Sequence, residues 1–396
     1  MGRVDRFIVG TGRCGSTLLS KMIRENDEVA SLFEYFSGLD PATCFSQEPL
    51  DGDTFAAMHC DTQTITNEVL ARGYPIAEVC YPFDAPGSRY SRRGGLPFNL
   101  AATIPSLPVE DPDAFYDEAR AFMLGLPARP AGVQHRAFFD WITERLGRSV
   151  WVERSGGSID HLAALAAQFP GAQFLHLHRA GEEAALSMRE HHVFRLGITL
   201  RYRLPVAAAE EGLDRVTQLL ESFPPCEYFG RAWTEQLLHG FRALRDLDAD
   251  QYWELRFEDL VDHPQEVLRE IAEFLALPNP HGRWLDRAAA LVHGAPPTRA
   301  DRLPDHERER LAQACRPGNV LLGRRSLSTY AAEPRRTRPK HAGRDGPASG
   351  NPRSPSARGT TRGFQFLRAD PRGVCARGPC REHCRRRCHP DCTDLG

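Results

Sequence analysis

The stretch Arg6-Phe7-Ile8-Val9-Gly10-Thr11-Gly12-Arg13-Cys14-Gly15-Ser16-Thr17-Leu18-Leu19 sets the frame for the rest of this 396-residue chain. Arg6 to Val9 is a short apolar run closed by a glycine, the pattern of a buried strand. From Ser16 to Arg24 the apolar residues Leu18, Leu19, Met22 and Ile23 recur at helical spacing. The order strand, glycine turn, helix opens a β-α-β unit, and the alternation returns downstream. Strands are predicted at 150–154 and 173–178 with a helix over 159–169 between them and another from about Glu182, whose acidic first turn suits the positive end of a helix. A long helix carrying Phe229, Trp233, Leu237, Leu238, Phe241 and Leu244 leads to a strand at 252–257, and Pro264 opens a helix with Val267, Leu268, Ile271, Phe274 and Leu275 on one side. Strands alternating with helices predict an α/β fold of three layers, a central parallel sheet flanked by helices.

Composition draws the boundaries. Amphipathic helices are expected at 112–125 and 135–147, whereas 40–110 is rich in Pro, Gly, Asp and Thr and predicts an irregular cover over a site. From 324 to 396 the alternation stops, and 17 Lys and Arg stand against 6 Asp and Glu, while residues 1–323 hold 33 basic and 46 acidic residues. The expectation is one domain over 1–323 and a disordered basic tail, rich in Arg, Pro and Cys, over 324–396. Cys375, Cys380, Cys384, Cys388 and Cys392 crowd that tail without the paired C-x2-C spacing of a zinc site. The scattered cysteines of the body read as reduced thiols. With no long apolar run and no secretory leader pattern at MGRVDRFIVG, the chain is expected to be cytoplasmic and without a membrane span.

Between its strand and helix, Gly10-x4-Gly15-Ser16-Thr17 has the spacing of a phosphate cradle, in which backbone N–H groups and a helix N-terminus converge on an anion. A nucleoside-triphosphate loop requires lysine where Ser16 stands, and no acidic strand end offers a magnesium ligand, so a small-molecule kinase is the weaker reading. The loop's basic residue is Arg13, whose guanidinium can fork onto phosphate or sulfate oxygens.

This P-loop-like segment resembles the 5′-phosphosulfate loop of the sulfotransferase family, P-[KR]-[ST]-G-[ST]-[ST], departing from it at Gly12 for proline and Cys14 for Ser or Thr. Cys14 forfeits a hydroxyl and would make the loop sensitive to oxidation. The resemblance implies that Arg13, Cys14, Gly15, Ser16 and Thr17 hold the 5′ end of the donor 3′-phosphoadenosine-5′-phosphosulfate, with no metal expected. It also implies that Arg179, followed eight residues later by Ser187, binds the 3′-phosphate. Trp151-Val152-Glu153-Arg154-Ser155 is similar to the family's strand ending in Lys-Thr or Lys-Ser, and Arg154 would stabilise charge without delivering a proton. Leu255-Arg256-Phe257-Glu258-Asp259-Leu260 resembles the family's late Tyr-Glu-Asp-Leu segment, a structural element. Together these segments cover about 4–280.

Sulfuryl transfer to an alcohol or phenol needs a base. Glu34 lies twenty-one residues beyond Arg13, where family members that use a catalytic glutamate have theirs, and its apolar sequence neighbours Leu32, Phe33, Tyr35 and Phe36 favour the neutral form. His59, His135 and His176 are the competitors. The acceptor, whether small molecule, carbohydrate, lipid or peptide hydroxyl, is left open. The basic run Arg189, His191, His192, Arg195, Arg201 and Arg203 points to an anionic or polyhydroxyl compound. A protein acting through its basic tail is the non-enzymatic alternative, with no specific nucleic acid implied and the oligomeric state open.

Overall fold

The computed structural model describes residues 4–62, 64–204, 214–278, 282–294 and 298–324. Five parallel strands, β1 (Arg6–Val9), β2 (Val29–Phe33), β3 (Val150–Arg154), β4 (Gln173–His178) and β5 (Tyr252–Arg256), form a sheet in the order β2-β3-β1-β4-β5. β1 is entirely buried, as a central parallel strand covered on both faces must be. Its side chains alternate between two cores. Phe7 and Val9 join Trp151 and Phe174 on one face, and Ile8 joins Val152, Leu175 and Leu177 on the other. Phe7 is packed among rings, 4.8 Å from Phe169, 5.5 Å from Phe174 and 5.6 Å from Trp151. The three-layer α/β architecture is therefore as the alternation predicts.

β2 was not expected, because Val29–Phe33 is brief and follows directly on a charged turn. It pairs with β3 in register, Phe33 opposite Arg154, and so delivers Glu34 to the carboxyl edge of the sheet. The cover is less irregular than its composition predicts. It contains helices at Gly52–Cys60 and Thr64–Ala71, the first capped by Asp51, which accepts from the N–H of Thr54 at 2.8 Å. The two amphipathic helices fall at Pro112–Leu124 and Ala131–Arg145.

Helix α1 (Ser16–Arg24) follows β1, α2 (Gly181–Glu190) follows β4, α3 (Cys226–Ala243) precedes β5, and α4 (Asp305–Leu321) packs along α3. A third apolar cluster, with Trp233, Phe229, Leu311 and Cys315, joins α2, α3 and α4. Arg324, one residue past the expected end of the domain, is buried. It donates to His178 Nδ1 at 3.0 Å and to Glu258 Oε2 at 2.9 Å, tying the chain to the end of β4. The rest of the basic, cysteine-rich segment lies outside the described residues. Among the described residues no helix is long and apolar enough to cross a membrane.

Candidate active site

The turn from β1 into α1 is built by two left-handed residues, Arg13 (φ 61°) and Gly15 (φ 96°). Gly15 is obligatory, since a Cβ there would lie 2.1 Å from the ring of Phe257. The turn places the N–H groups of Ser16 and Thr17, the first two of α1, beyond the carboxyl edge of the sheet, while that of Leu18 donates to the Gly15 carbonyl at 3.0 Å. A cavity of about 520 Å³ opens there, lined by Gly12, Arg13, Gly15, Ser16 and Thr17. Cys14 turns the other way. Its side chain is buried in the core, and burial raises its thiol pKa, which leaves only its backbone for an anion and makes the expected oxidation sensitivity untenable.

Arg154 ends β3 beside β1 and β2 and is 1% exposed. Each of its three guanidinium nitrogens has a partner: Nε donates to Ser20 Oγ at 3.1 Å, Nη2 to Thr17 Oγ1 at 3.1 Å, and Nη1 is paired with Glu34 Oε1. Glu34 caps the end of β2 in a left-handed conformation (φ 57°), a strained state for a side-chain-bearing residue. Its backbone N–H donates to the Arg154 carbonyl at 2.7 Å. The apolar neighbours invoked from sequence do not surround its carboxylate. Oε2 accepts from the N–H of Gly156 at 2.8 Å and from Ser37 Oγ, so a guanidinium, a hydroxyl and an amide face it instead. Thr17, Arg154 and Glu34 thus form one connected polar row along the cavity wall.

On the other flank Arg13 Nε donates to Ser187 Oγ at 3.3 Å, bringing the loop and the expected 3′-phosphate serine into contact. Arg179 closes β4, pairs with Glu183 at 3.6 Å, lies 5.2 Å from the Phe257 ring, and lines the same cavity. Three neighbours were not read from sequence. Glu78, from the cover, receives Arg13 Nη1 at 2.7 Å and His191 Nε2 at 2.9 Å; although desolvation opposes it, these two partners hold its carboxyl down to about 2. Arg299 reaches the cavity from the segment before α4 and pairs with Glu190 at 2.9 Å. Glu153, behind Arg154, is wholly buried, and desolvation raises its carboxyl to about 8. Nothing in the sequence flags Glu78 or Arg299, because each lies far along the chain from the motifs it joins.

The competing histidines are core groups. His59 and His135 flank the hydroxyl of Tyr35 at 2.8 and 2.7 Å, each with its other nitrogen against a backbone carbonyl, and burial lowers them to about 4 and about 3. His176 is hydrogen-bonded to Tyr252 at 2.6 Å and lowered by burial to about 3. None of the three lines the cavity; His161 and His191 do. Of the basic run only His191 lines the cavity, and three of its arginines are engaged elsewhere. Arg189 donates to the carbonyl of Pro224 at 2.7 Å, Arg195 to that of Arg189 at 2.9 Å, and Arg201 pairs with Glu235 at 2.6 Å.

A glycine loop at a helix N-terminus, with arginines at the carboxyl edge of a parallel sheet, has the geometry of a phosphate-type anion site in an α/β protein. Residues 6–281 match the model of the sulfotransferase family, and the chain belongs to that family. Among curated proteins there is no significant sequence match. Similar solved structures include the sulfotransferase domain from the curacin biosynthetic pathway, with 12% identity, a TM-score of 0.41, and 82% of this chain and 100% of that one covered. A sulfotransferase from Mycobacterium avium has 14% identity and a TM-score of 0.41, covering 82% of this chain and 79% of that one. A sulfotransferase from Alicyclobacillus acidocaldarius has 16% identity and a TM-score of 0.36, covering 84% of this chain and 100% of that one.

Proposed function

We propose that this sulfotransferase moves a sulfuryl group from 3′-phosphoadenosine-5′-phosphosulfate to a hydroxyl acceptor. The observation that carries the donor assignment is the convergence of the β1–α1 loop with Arg13, Arg154, Arg179 and Ser187 on one cavity. The loop and Arg154 face the phosphosulfate end, and Arg179 with Ser187 faces the 3′-phosphate. In the transfer the sulfur–oxygen bond to the donor phosphate breaks, a sulfur–oxygen bond to the acceptor forms, and the acceptor proton goes to Glu34. Arg154 contributes fixed positive charge beside Thr17, where negative charge develops on the departing phosphate, and its own proton stays in place. The pairing with Arg154, Ser37 and Gly156 orients the Glu34 carboxylate toward the cavity without a rotamer search. The described cysteines are unpaired thiols, which suits a reaction in the reducing cytoplasm.

The test is transfer of labelled sulfuryl by wild type and Glu34→Gln without added metal. The variant is expected to retain protection by 3′-phosphoadenosine 5′-phosphate while turnover falls by about 100-fold or more. Full turnover in the variant would remove Glu34 from the chemistry, and protection by ATP with magnesium alone would remove the donor assignment.

A further inference from the structure

Away from the loop, the cavity wall changes character. Phe36 and Phe45 stack with ring centroids 5.4 Å apart, and His161 lies 5.4 Å from Phe45 on its other side. Two carboxylates flank this stack in the chain, Asp40 at the start of the turn leading to Phe45 and Asp160 immediately before His161, and both line the cavity. The Asp160 side chain is 1% exposed; Oδ1 is bonded to His239 Nδ1 at 2.8 Å, while Oδ2 is buried without a partner.

The cations lie elsewhere and are already matched. Among the described lining residues the basic ones with permanent charge are Arg13, Arg154, Arg179 and Arg299, paired with Glu78, Glu34, Glu183 and Glu190 respectively. Arg299 and Arg179 share Glu183, which places both at the donor end. A phosphosulfate donor adds several negative charges to a cavity whose guanidiniums each have a carboxylate. The loaded site therefore carries net negative charge, and its remaining wall offers carboxylates and aromatic faces. That combination attracts a cation and repels an anion. It runs against the anionic acceptor expected from the basic run, of which Arg189 and Arg195 donate to backbone carbonyls and Arg201 pairs with Glu235.

Resting on the sulfuryl-transfer reading, we infer that the acceptor is a hydroxyl compound with an apolar or aromatic body and a protonated amine. The amine sits between the Phe36–Phe45 wall and Asp160, and the hydroxyl faces Glu34 and the donor.

Two matched sets of acceptors test this on the full chain with labelled donor: tyramine, 4-ethylphenol and 3-(4-hydroxyphenyl)propionate, and 6-aminohexan-1-ol, hexan-1-ol and 6-hydroxyhexanoate. In at least one set kcat/KM is expected to run amine over neutral over acid, with the amine ahead of the neutral compound by about tenfold. Asp160→Asn should bring the amine-to-neutral ratio toward one whatever the absolute rates. Phe45→Leu, which keeps the apolar volume and removes the aromatic face, should lower the same ratio. Equal or reversed order in wild type, a ratio that survives both substitutions, or transfer to no amine despite protection by 3′-phosphoadenosine 5′-phosphate would overturn the acceptor class and leave the donor reading standing. Loss of that protection in wild type would overturn the donor reading, and the acceptor inference with it.

Discussion

Replacing Glu153 by Gln should make the protein relatively more stable as pH rises, by an amount the structure allows to be worked out. Glu153 is fully buried on β3, with Oε1 accepting from Ser155 Oγ at 2.5 Å and Oε2 buried without a partner. Ser155 Oγ in turn accepts from the N–H of Phe36 at 2.8 Å, an arrangement a glutamine oxygen can preserve. Desolvation raises the carboxyl from 4.5 to about 8; the Ser155 bond opposes the rise, Glu34 adds to it, and Arg154 opposes it. Below 4.5 both states are protonated and nothing is lost. Between 4.5 and about 8 the unfolded chain gives up its proton while the native state keeps it, so stability falls with pH and levels off above about 8. At about 1.36 kcal/mol per pH unit, the loss between about pH 5 and about pH 9 is on the order of 4 kcal/mol. Urea unfolding of wild type and Glu153→Gln across that range isolates the effect, because other titrating groups cancel in the difference. The gap should move in the variant's favour by about that amount. Parallel curves would show that Glu153 is ionised in the native state and refute the reasoning.

Two further substitutions probe the donor end. Glu78→Gln removes the carboxylate that occupies Arg13 and is expected to tighten binding of 3′-phosphoadenosine 5′-phosphate by about tenfold at low salt and less at high salt, measured by titration calorimetry; unchanged or weaker binding would mean that Glu78 assists the donor rather than competing with it. Gly15→Ala forces a side chain into φ 96° and against Phe257, and should cost about 1–2 kcal/mol from the backbone alone, with loss of nucleotide protection in a thermal unfolding assay. A variant with wild-type melting and protection would show that the loop adapts.

The glycine loop and the strands around it are legible in the sequence, and the residues proposed for the donor end follow from the family resemblance. Arg6 to Val9 is a strand that runs into the loop ending at Thr17, Arg154 and Arg179 stand at the carboxyl ends of two more strands, and Ser187 lies in the helix after the second of these; each is a local event, an apolar run, a glycine or a helix start. Once the strands are parallel and adjacent, their carboxyl ends must share an edge. Glu34 is singled out by the place that the resemblance gives a glutamate beyond Arg13, but its apolar chain neighbours do not surround its carboxylate, because the backbone turns left-handed just past β2 and Arg154, Ser37 and Gly156 meet the side chain instead. The histidines illustrate the same limit. His59, His135 and His176 differ from a catalytic base only in being sealed in the core, which no spacing reveals.

The sequence by itself determined the alternating α/β plan and the phosphate-type loop with its arginine, since each depends on short-range periodicity and on the conformational freedom of glycine. Only the tertiary structure decided that Cys14 faces inward, that Arg154 is locked to Glu34 and Thr17, that Glu78 pairs with Arg13, and that carboxylates and aromatic rings share the far wall. Those contacts join residues 65 to 137 positions apart. Their energies depend on burial and on partners brought together by the packing of the sheet and its cover, so no local pattern encodes them.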